Sequence, residues 1–463
     1  MPAPNKSGLE TKIQSCVDAA TLSTSTENLL SLAVAKSQLC SSFCNSFATS
    51  NDLPDIFAAK IPNGQLAFVA DIEEMVMASN CCWIGLDGRS LRNDMPTVTL
   101  WTWGANVSGS LADGTTINRS SPVTVVGSNT TWNRLGLSNM ACSNSAIKQD
   151  GTLWTWGYNL RGQLGTADVN NRSSPVTTAA GGTTWIQSST GTRHSHGVKS
   201  DGTLWSWGYM RYGRLGNGFG TTSCITSPEQ ACCNNWVQVS AGCHHGMGIQ
   251  SDGTLWGWGL NPYGVLGTGN TTSRNSPGAV AGGGTNWSYV NTAYRHSAGI
   301  KTDGTLWTWG RNPYGQLGNG TSGYGTCRSS PVTTAGGGTN WCNVSVGRGT
   351  TAGIKTDGTL WTWGYNFHGQ LGIGTSGAAS CRSSPGTTAG GGTTWLKISL
   401  GCVHVTALKT DGTLWTWGCN TFGQLGDGGA INRSGPVTVS GGGTNWCSVS
   451  GSANSTIALT AQG

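Results

Sequence analysis

The chain of 463 residues is too long for one ordinary domain, so it is either two domains or a body built from repeats. Only 10% of it is charged, while 73 residues are Gly and 22 are Trp, which excludes a solvated, disordered chain and points to turn-rich β structure. A net charge of +6 is too mild for the basic stripe of a nucleic-acid binder, and no apolar run reaches the roughly 18 residues that a membrane helix needs.

The N-terminus, MPAPNKSGLETK, lacks the charged-then-apolar layout of a secretory signal. Apolar residues at helical spacing predict one or two helices between about 8 and 47, the second opened by a capping box of Thr24 and Glu27. After the breaker NDLPD, residues 61 to 89 read as a three-stranded meander ending in W-x-GLDGR. Residues 1–98 are therefore expected to form a small α+β attachment module.

From residue 99 to 463 one scheme repeats. Tryptophan pairs W-x-W stand at Trp101/Trp103, Trp154/Trp156, Trp205/Trp207, Trp256/Trp258, Trp307/Trp309, Trp361/Trp363 and Trp415/Trp417, seven pairs 51 to 54 residues apart. A third tryptophan follows each pair: Trp132, Trp185, Trp236, Trp287, Trp341, Trp395 and Trp446. GTLWTWG alternates as a strand does, the preceding DG supplies a tight turn, and each unit holds about four strands. A four-stranded unit repeated radially is a β-propeller blade. The first unit lacks its opening strand, and the chain ends on STIALTAQG with no LWTWG to follow, so the C-terminal strand is expected to pair near Trp101 and close a ring of seven blades. The paired tryptophans are expected on an inner strand, filling the wedge between blades.

The unit H-S-x-G-[IV]-K-x-D-G-T-L-W-x-W-G-x-N-x-x-G-Q-L-G … R-S-S-P-V resembles the repeat of the regulator of chromosome condensation family, over residues 99 to 463. The resemblance implies an all-β, seven-bladed propeller, but not one function: such propellers serve as GTPase exchange factors, chromatin binders, photoreceptors, ubiquitin-ligase modules and phage parts. Exchange in that family depends on a wedge-like insertion in one blade. The even spacing leaves no room for such a hairpin; the widest departure is residues 218 to 236. The meander of residues 61 to 89 resembles a small module of tail and virion proteins of marine bacteriophages, cyanophages among them.

Arg119, Arg172, Arg274, Arg328, Arg382 and Arg433 each stand three residues before the recurrent Pro, with Ile225 in the third unit. As a ring they could grip an acidic partner; the plainer reading is that each anchors its own loop. Lys148, Lys199, Lys301, Lys355 and Lys409 precede the turn aspartate and read as solvated. His194, His245, His296 and His404 share one register and read as structural. Tyr263, Tyr314 and Phe367 are the loop aromatics that would stack on a glycan. HExxH, GxxxxGK[ST] and GxSxG are absent, and the repeated aspartates lie at DG turns, so neither a catalytic set nor a cofactor or metal is assigned. Sixteen cysteines without CxxC pairs leave disulfides open.

The expected function is a non-enzymatic virion component, tail- or capsid-associated. Residues 1–98 would bind other virion proteins and the propeller a host-surface glycan or protein, with no membrane insertion and no nucleic acid. The alternatives are a cellular exchange-factor or chromatin-binding propeller and a lectin-like propeller.

Overall fold

The computed structural model describes residues 66–69, 74–79, 82–85 and 98–461, apart from 128–130, 139 and 233–234. The chain divides into two compact units, Met1–Met95 and Pro96–Gly463. In the first, strands Leu66–Val69, Glu74–Ser79 and Cys82–Gly85 form an antiparallel meander, as the alternation of residues 61 to 89 predicts. The helices expected between 8 and 47, with Thr24 and Glu27, lie outside the described residues.

The second unit consists of seven four-stranded antiparallel sheets among the described residues. We number the blades from the one that joins the chain ends: blade 1 is Trp446–Gly451, Ser455–Ala461, Val98–Gly104 and Arg119–Thr124. Blades 2 to 7 begin at Trp132, Trp185, Trp236, Trp287, Trp341 and Trp395. The closure is the predicted one. Ser455–Ala461 pairs antiparallel with Val98–Gly104 from Ser455 opposite Gly104 to Ala461 opposite Val98, so neither strand keeps a bare edge.

The position of the paired tryptophans needs a correction. The strands that touch from blade to blade around the axis are those opened by the third tryptophan, and W-x-W lies on the third strand outward. The pair still fills the wedge. The second member of each, Trp103, Trp156, Trp207, Trp258, Trp309, Trp363 and Trp417, is fully buried, and its indole N–H donates to a main-chain oxygen in the preceding blade: Trp103 to Gln424 (3.0 Å), Trp156 to Ser110 (3.0 Å), Trp207 to Gln163 (2.8 Å) and so on around the ring. A buried indole keeps its large apolar contact only when its N–H finds an acceptor, and here the neighbouring blade supplies it. The first member is half-buried and donates to a threonine hydroxyl, as Trp154 does to Thr152 at 2.9 Å. The third tryptophan meets both edge-on, Trp185 lying 6.0 Å from Trp205 and 6.1 Å from Trp207.

Around the axis a second circuit holds the blades together. The residue four places after the third tryptophan reaches into the next blade: Ser189 Oγ accepts from Ala241 N (2.8 Å), Ser240 Oγ from Thr292 N (3.0 Å), Asn291 Oδ1 from Val346 N (2.9 Å), Ser345 Oγ from Leu400 N (3.0 Å) and Ser399 Oγ from Gly451 N (2.9 Å). Ser450 Oγ donates to Gly136 O at 3.0 Å, and Leu137 O accepts from Thr190 N at 2.8 Å, which closes the circle through blade 2. Blade 2 departs from the pattern: its first strand stops at Leu135, and the longer loop that follows carries Met140 into the cluster of Ala293 in blade 5 and Val346 in blade 6. Met140 thus packs across the ring, against the far side of the axis.

Candidate functional site: an arginine and tyrosine face

Strands one and three of each antiparallel blade run the same way, so the loops after them emerge on one face of the propeller. The tight turns between strands two and three emerge on the other.

On the turn face every charge is occupied. The carboxylates of Asp150, Asp201, Asp252, Asp303, Asp357 and Asp411 each accept from the N–H and hydroxyl of the threonine two residues on, for example Asp303 to Thr305 at 2.9 and 2.6 Å. The lysines are not simply solvated. Lys148 lies 4.0 Å from the Trp154 ring centre, Lys199 3.9 Å from Trp205, Lys301 4.7 Å from Trp307, Lys355 4.6 Å from Trp361 and Lys409 4.4 Å from Trp415. The half-buried indole faces offer the ammonium a better resting place than water does.

On the loop face a buried asparagine organises the long loop of six of the seven blades. Asn159 Oδ1 accepts from Leu164 N at 2.9 Å while its Nδ2 donates to Asp168 O at 3.1 Å, and Asn106, Asn261, Asn312, Asn366 and Asn420 do the same work in their blades. The repeated arginines lie at the ends of these loops. Arg119 Nε donates to Asp113 at 2.8 Å and Arg433 Nε to Asp427 at 2.7 Å, while Arg172 pairs with Asp168. The Arg119 and Arg433 guanidiniums, with threonine and backbone donors, draw the carboxyls of Asp113 and Asp427 below their ordinary range against the opposing effect of burial. Arg328 Nη1 donates to Thr326 O (3.4 Å) and Cys327 O (3.3 Å), and Arg382 Nη1 to Thr387 O (3.2 Å). Arg274 is exposed and runs along Gly278, where an added Cβ would meet its Cδ at 2.6 Å.

A different set of arginines belongs to the loops of this face. The loops of blades 3 to 6 carry Arg193, Arg211, Arg214, Arg295, Arg311 and Arg348 and no carboxylate. Five of the six are mated to tyrosine: Arg211 to Tyr212 (4.6 Å), Arg214 to Tyr209 (5.1 Å), Arg295 to Tyr294 (4.8 Å) and Tyr263 (5.1 Å), Arg311 to Tyr324 (5.1 Å), Arg348 to Tyr294 (5.5 Å). Arg295 Nη1 also donates to Tyr263 Oη at 3.0 Å, so Tyr263 braces a guanidinium. Tyr314 and Phe367 do lie together: with Tyr365 between them, 4.7 Å from Tyr314 and stacked at 12° on Phe367, they line an open cleft of about 390 Å³ between the loops of blades 5 and 6. Sequence reasoning missed Tyr365, which follows W-x-W-G as Tyr158 and Tyr209 do, and the arginines of these loops, of which only Arg193 and Arg295 share a register, each directly before a registered histidine.

The registered histidines are buried, and burial holds them far below the usual imidazole range, His245 and His296 at about 3 and His404 at about 4. Three of their Nε2 atoms meet hydroxyls of the next blade, Ser297 at 3.5 Å for His245, Thr351 at 2.9 Å for His296 and Thr456 at 3.1 Å for His404. Among the described residues no group of three His, Cys, Asp or Glu side chains is placed to hold a metal ion, and the ten described cysteines are free thiols. No helix among them is long and apolar enough to cross a membrane.

Known proteins share this architecture. Residues 96–388 match the RCC1-like domain, and residues 396–424 and 411–459 the regulator of chromosome condensation (RCC1) repeat. The ultraviolet-B receptor UVR8 of Arabidopsis thaliana is 31% identical over 305 residues, covering 65% of this chain and 68% of UVR8. The human E3 ubiquitin-protein ligase HERC2 is 30% identical over 301 residues, 63% of this chain but only 6% of HERC2. Among solved structures, Prp20p of Saccharomyces cerevisiae, described with its binding to Gsp1p and histones, superposes with a TM-score of 0.69 at 17% identity over 80% of this chain and 92% of Prp20p. Human WBSCR16 gives 0.66 at 20% identity over 78% and 98%. The blade count, the closure and these matches agree that the chain belongs to the regulator of chromosome condensation (RCC1) repeat family.

Proposed function

We propose that this chain is a non-catalytic, regulatory binding propeller that docks an acidic protein partner on its arginine and tyrosine face. One observation carries the reading: the loops of blades 3 to 6 hold six arginines against no carboxylate, although the same loops in blades 1, 2 and 7 carry Asp113, Asp168 and Asp427. Arginine and tyrosine are the residues that concentrate binding energy in protein interfaces, since both present large rigid surfaces at low entropic cost. The relatives support a cellular role of this kind: UVR8 is a receptor, and Prp20p is described as binding Gsp1p and histones. Small-GTPase binding or chromatin binding is the form we would look for first. Photo-cross-linking an acidic peptide to the full chain tests the face. Cross-links should map to residues 293–295 and 347–349; cross-links confined to the Asp-Gly turns of the other face would overturn the reading.

The virion reading stands second. It rests on the resemblance of residues 61 to 89, whose three strands do pair as a meander. It places the protein in the virion, bound through residues 1–98 to tail or capsid proteins. The chain should then sediment with purified particles, and its absence from them would remove this reading.

A further inference from the structure

Blade 3 breaks the repeat at three neighbouring positions. Where the other six blades carry the loop-organising asparagine it has Met210; Tyr212 holds a left-handed backbone at φ 67°; and Arg214 stands where blades 2, 5, 6 and 7 carry Gln163, Gln316, Gln370 and Gln424. All four glutamines belong to their loops, Gln163 Oε1 accepting from Arg161 N at 2.9 Å, Gln316 from Tyr314 N at 3.0 Å, Gln370 from His368 N at 2.9 Å and Gln424 from Phe422 N at 2.9 Å. Arg214 instead puts a guanidinium into the wall of the propeller, 1% exposed. Its Nε donates to Arg211 O at 2.8 Å, but its Nη1 is buried with no hydrogen-bond partner. Tyr209 and Tyr212 lie 5.1 and 5.7 Å from it. Arg193, Cys243 and the imidazoles of His194, His244 and His245 also act on it, none an anion at neutral pH, and burial pulls its pKa down to about 10. Arg211 lies over Tyr212 and Arg161 over Tyr209, both from the same face.

A buried guanidinium without a counter-charge costs several kcal/mol, and in a free-standing protein such a group normally finds a carboxylate. This one has a vacant donor and no anion beside it.

We propose that Arg214 is the floor of a carboxylate-binding site, in which a glutamate or aspartate of an acidic protein segment displaces the Tyr212 ring and supplies the acceptor that Nη1 lacks, with Arg193 and Arg211 at the rim. The inference rests on the acidic-partner reading above and deepens it to one anchor. Convergence favours a carboxylate over a nucleic-acid backbone. Arg211 and Arg214 converge on the one Tyr212 ring, whereas a phosphodiester chain is tracked by charges spaced along a groove.

The test uses the full chain and a fluorescein-labelled hexaglutamate peptide, with affinity read by anisotropy at low salt. Arg214→Gln installs the residue of the sister blades and so keeps the fold; its melting midpoint should not fall. It should weaken the peptide about tenfold or more. Unchanged affinity in Arg214→Gln, with binding lost in the double variant Arg295→Glu, Arg348→Glu, would overturn the anchor and leave the face standing. Binding that survives both variants, or no binding by the unaltered chain, would remove both. Tighter binding of a thymidine oligonucleotide than of hexaglutamate would overturn the choice of carboxylate.

Discussion

Trp258 of blade 4 donates its indole N–H to the main-chain oxygen of Arg214 in blade 3 at 3.1 Å. The same bond joins every neighbouring pair of blades, Trp309 to Val265 O at 2.8 Å and Trp363 to Gln316 O at 3.0 Å among them. The backbone of the one divergent loop is therefore anchored at Arg214 as its sisters are at their own residues, although Tyr212 turns left-handed within it. That is how a repeat protein can vary a surface without loosening its ring.

Replacing Trp309 with Phe should cost about 2–4 kcal/mol, since it leaves a small cavity and strips the Val265 carbonyl of its donor. Urea unfolding should show a lower midpoint with an unchanged slope. A variant as stable as the parent would mean that the inter-blade indole bond adds nothing.

Deleting residues 455–463 removes the partner of Val98–Gly104 and bares a strand edge. The truncated chain should lose cooperative melting and self-associate in size-exclusion chromatography with light scattering. A monomer with the parental melting point would show that closure does not hold the ring.

Gly136→Ser restores the axial hydroxyl that five other blades carry as serine, yet it should destabilise by about 1–3 kcal/mol. The Cβ at this position would meet Ser145 Oγ at 2.0 Å and Ser188 Oγ at 2.9 Å. Thermal melting checks the sign.

Lys355→Met keeps the hydrocarbon stem and removes the charge over Trp361 and Trp341, 4.6 and 5.1 Å away. The expected loss is about 0.5–1 kcal/mol. Chemical denaturation would detect it.

The buried histidines set an acid limit. His296 is held at about 3 against 6.5 when unfolded, because burial penalises the imidazolium. A depressed folded pKa means that the unfolded chain takes up the proton first, so stability is complete above pH 6.5 and falls as the pH drops toward about 3, by about 1.4 kcal/mol per pH unit for each such histidine. His296→Thr, the residue blade 6 carries as Thr350, should reduce that slope by about one proton between pH 6 and 4. An unchanged slope in urea titrations across that range would refute the assignment.

Much of this was legible in the chain itself. Tryptophans at a fixed period name the number of blades, because each unit needs its own indoles to seal its own wedge. Two half-units at the ends, TLWTWG and STIALTAQG, name the closure. The axial serines had a signal that went unread, a Ser or Asn four residues after the third tryptophan. The candidate site had only a partial one: Arg193 and Arg295 each stand directly before a registered histidine. Arg119, Arg172 and Arg433 recur in register, yet they are paired with aspartates of their own loops. Arg348 comes from the loop after a first strand, and Arg211, Arg214 and Arg311 from loops after third strands, at positions where no other blade carries arginine. Local chemistry repeated along the chain determined the architecture; the shared direction of first and third strands, a property of the folded sheet alone, decided that these arginines meet on one face.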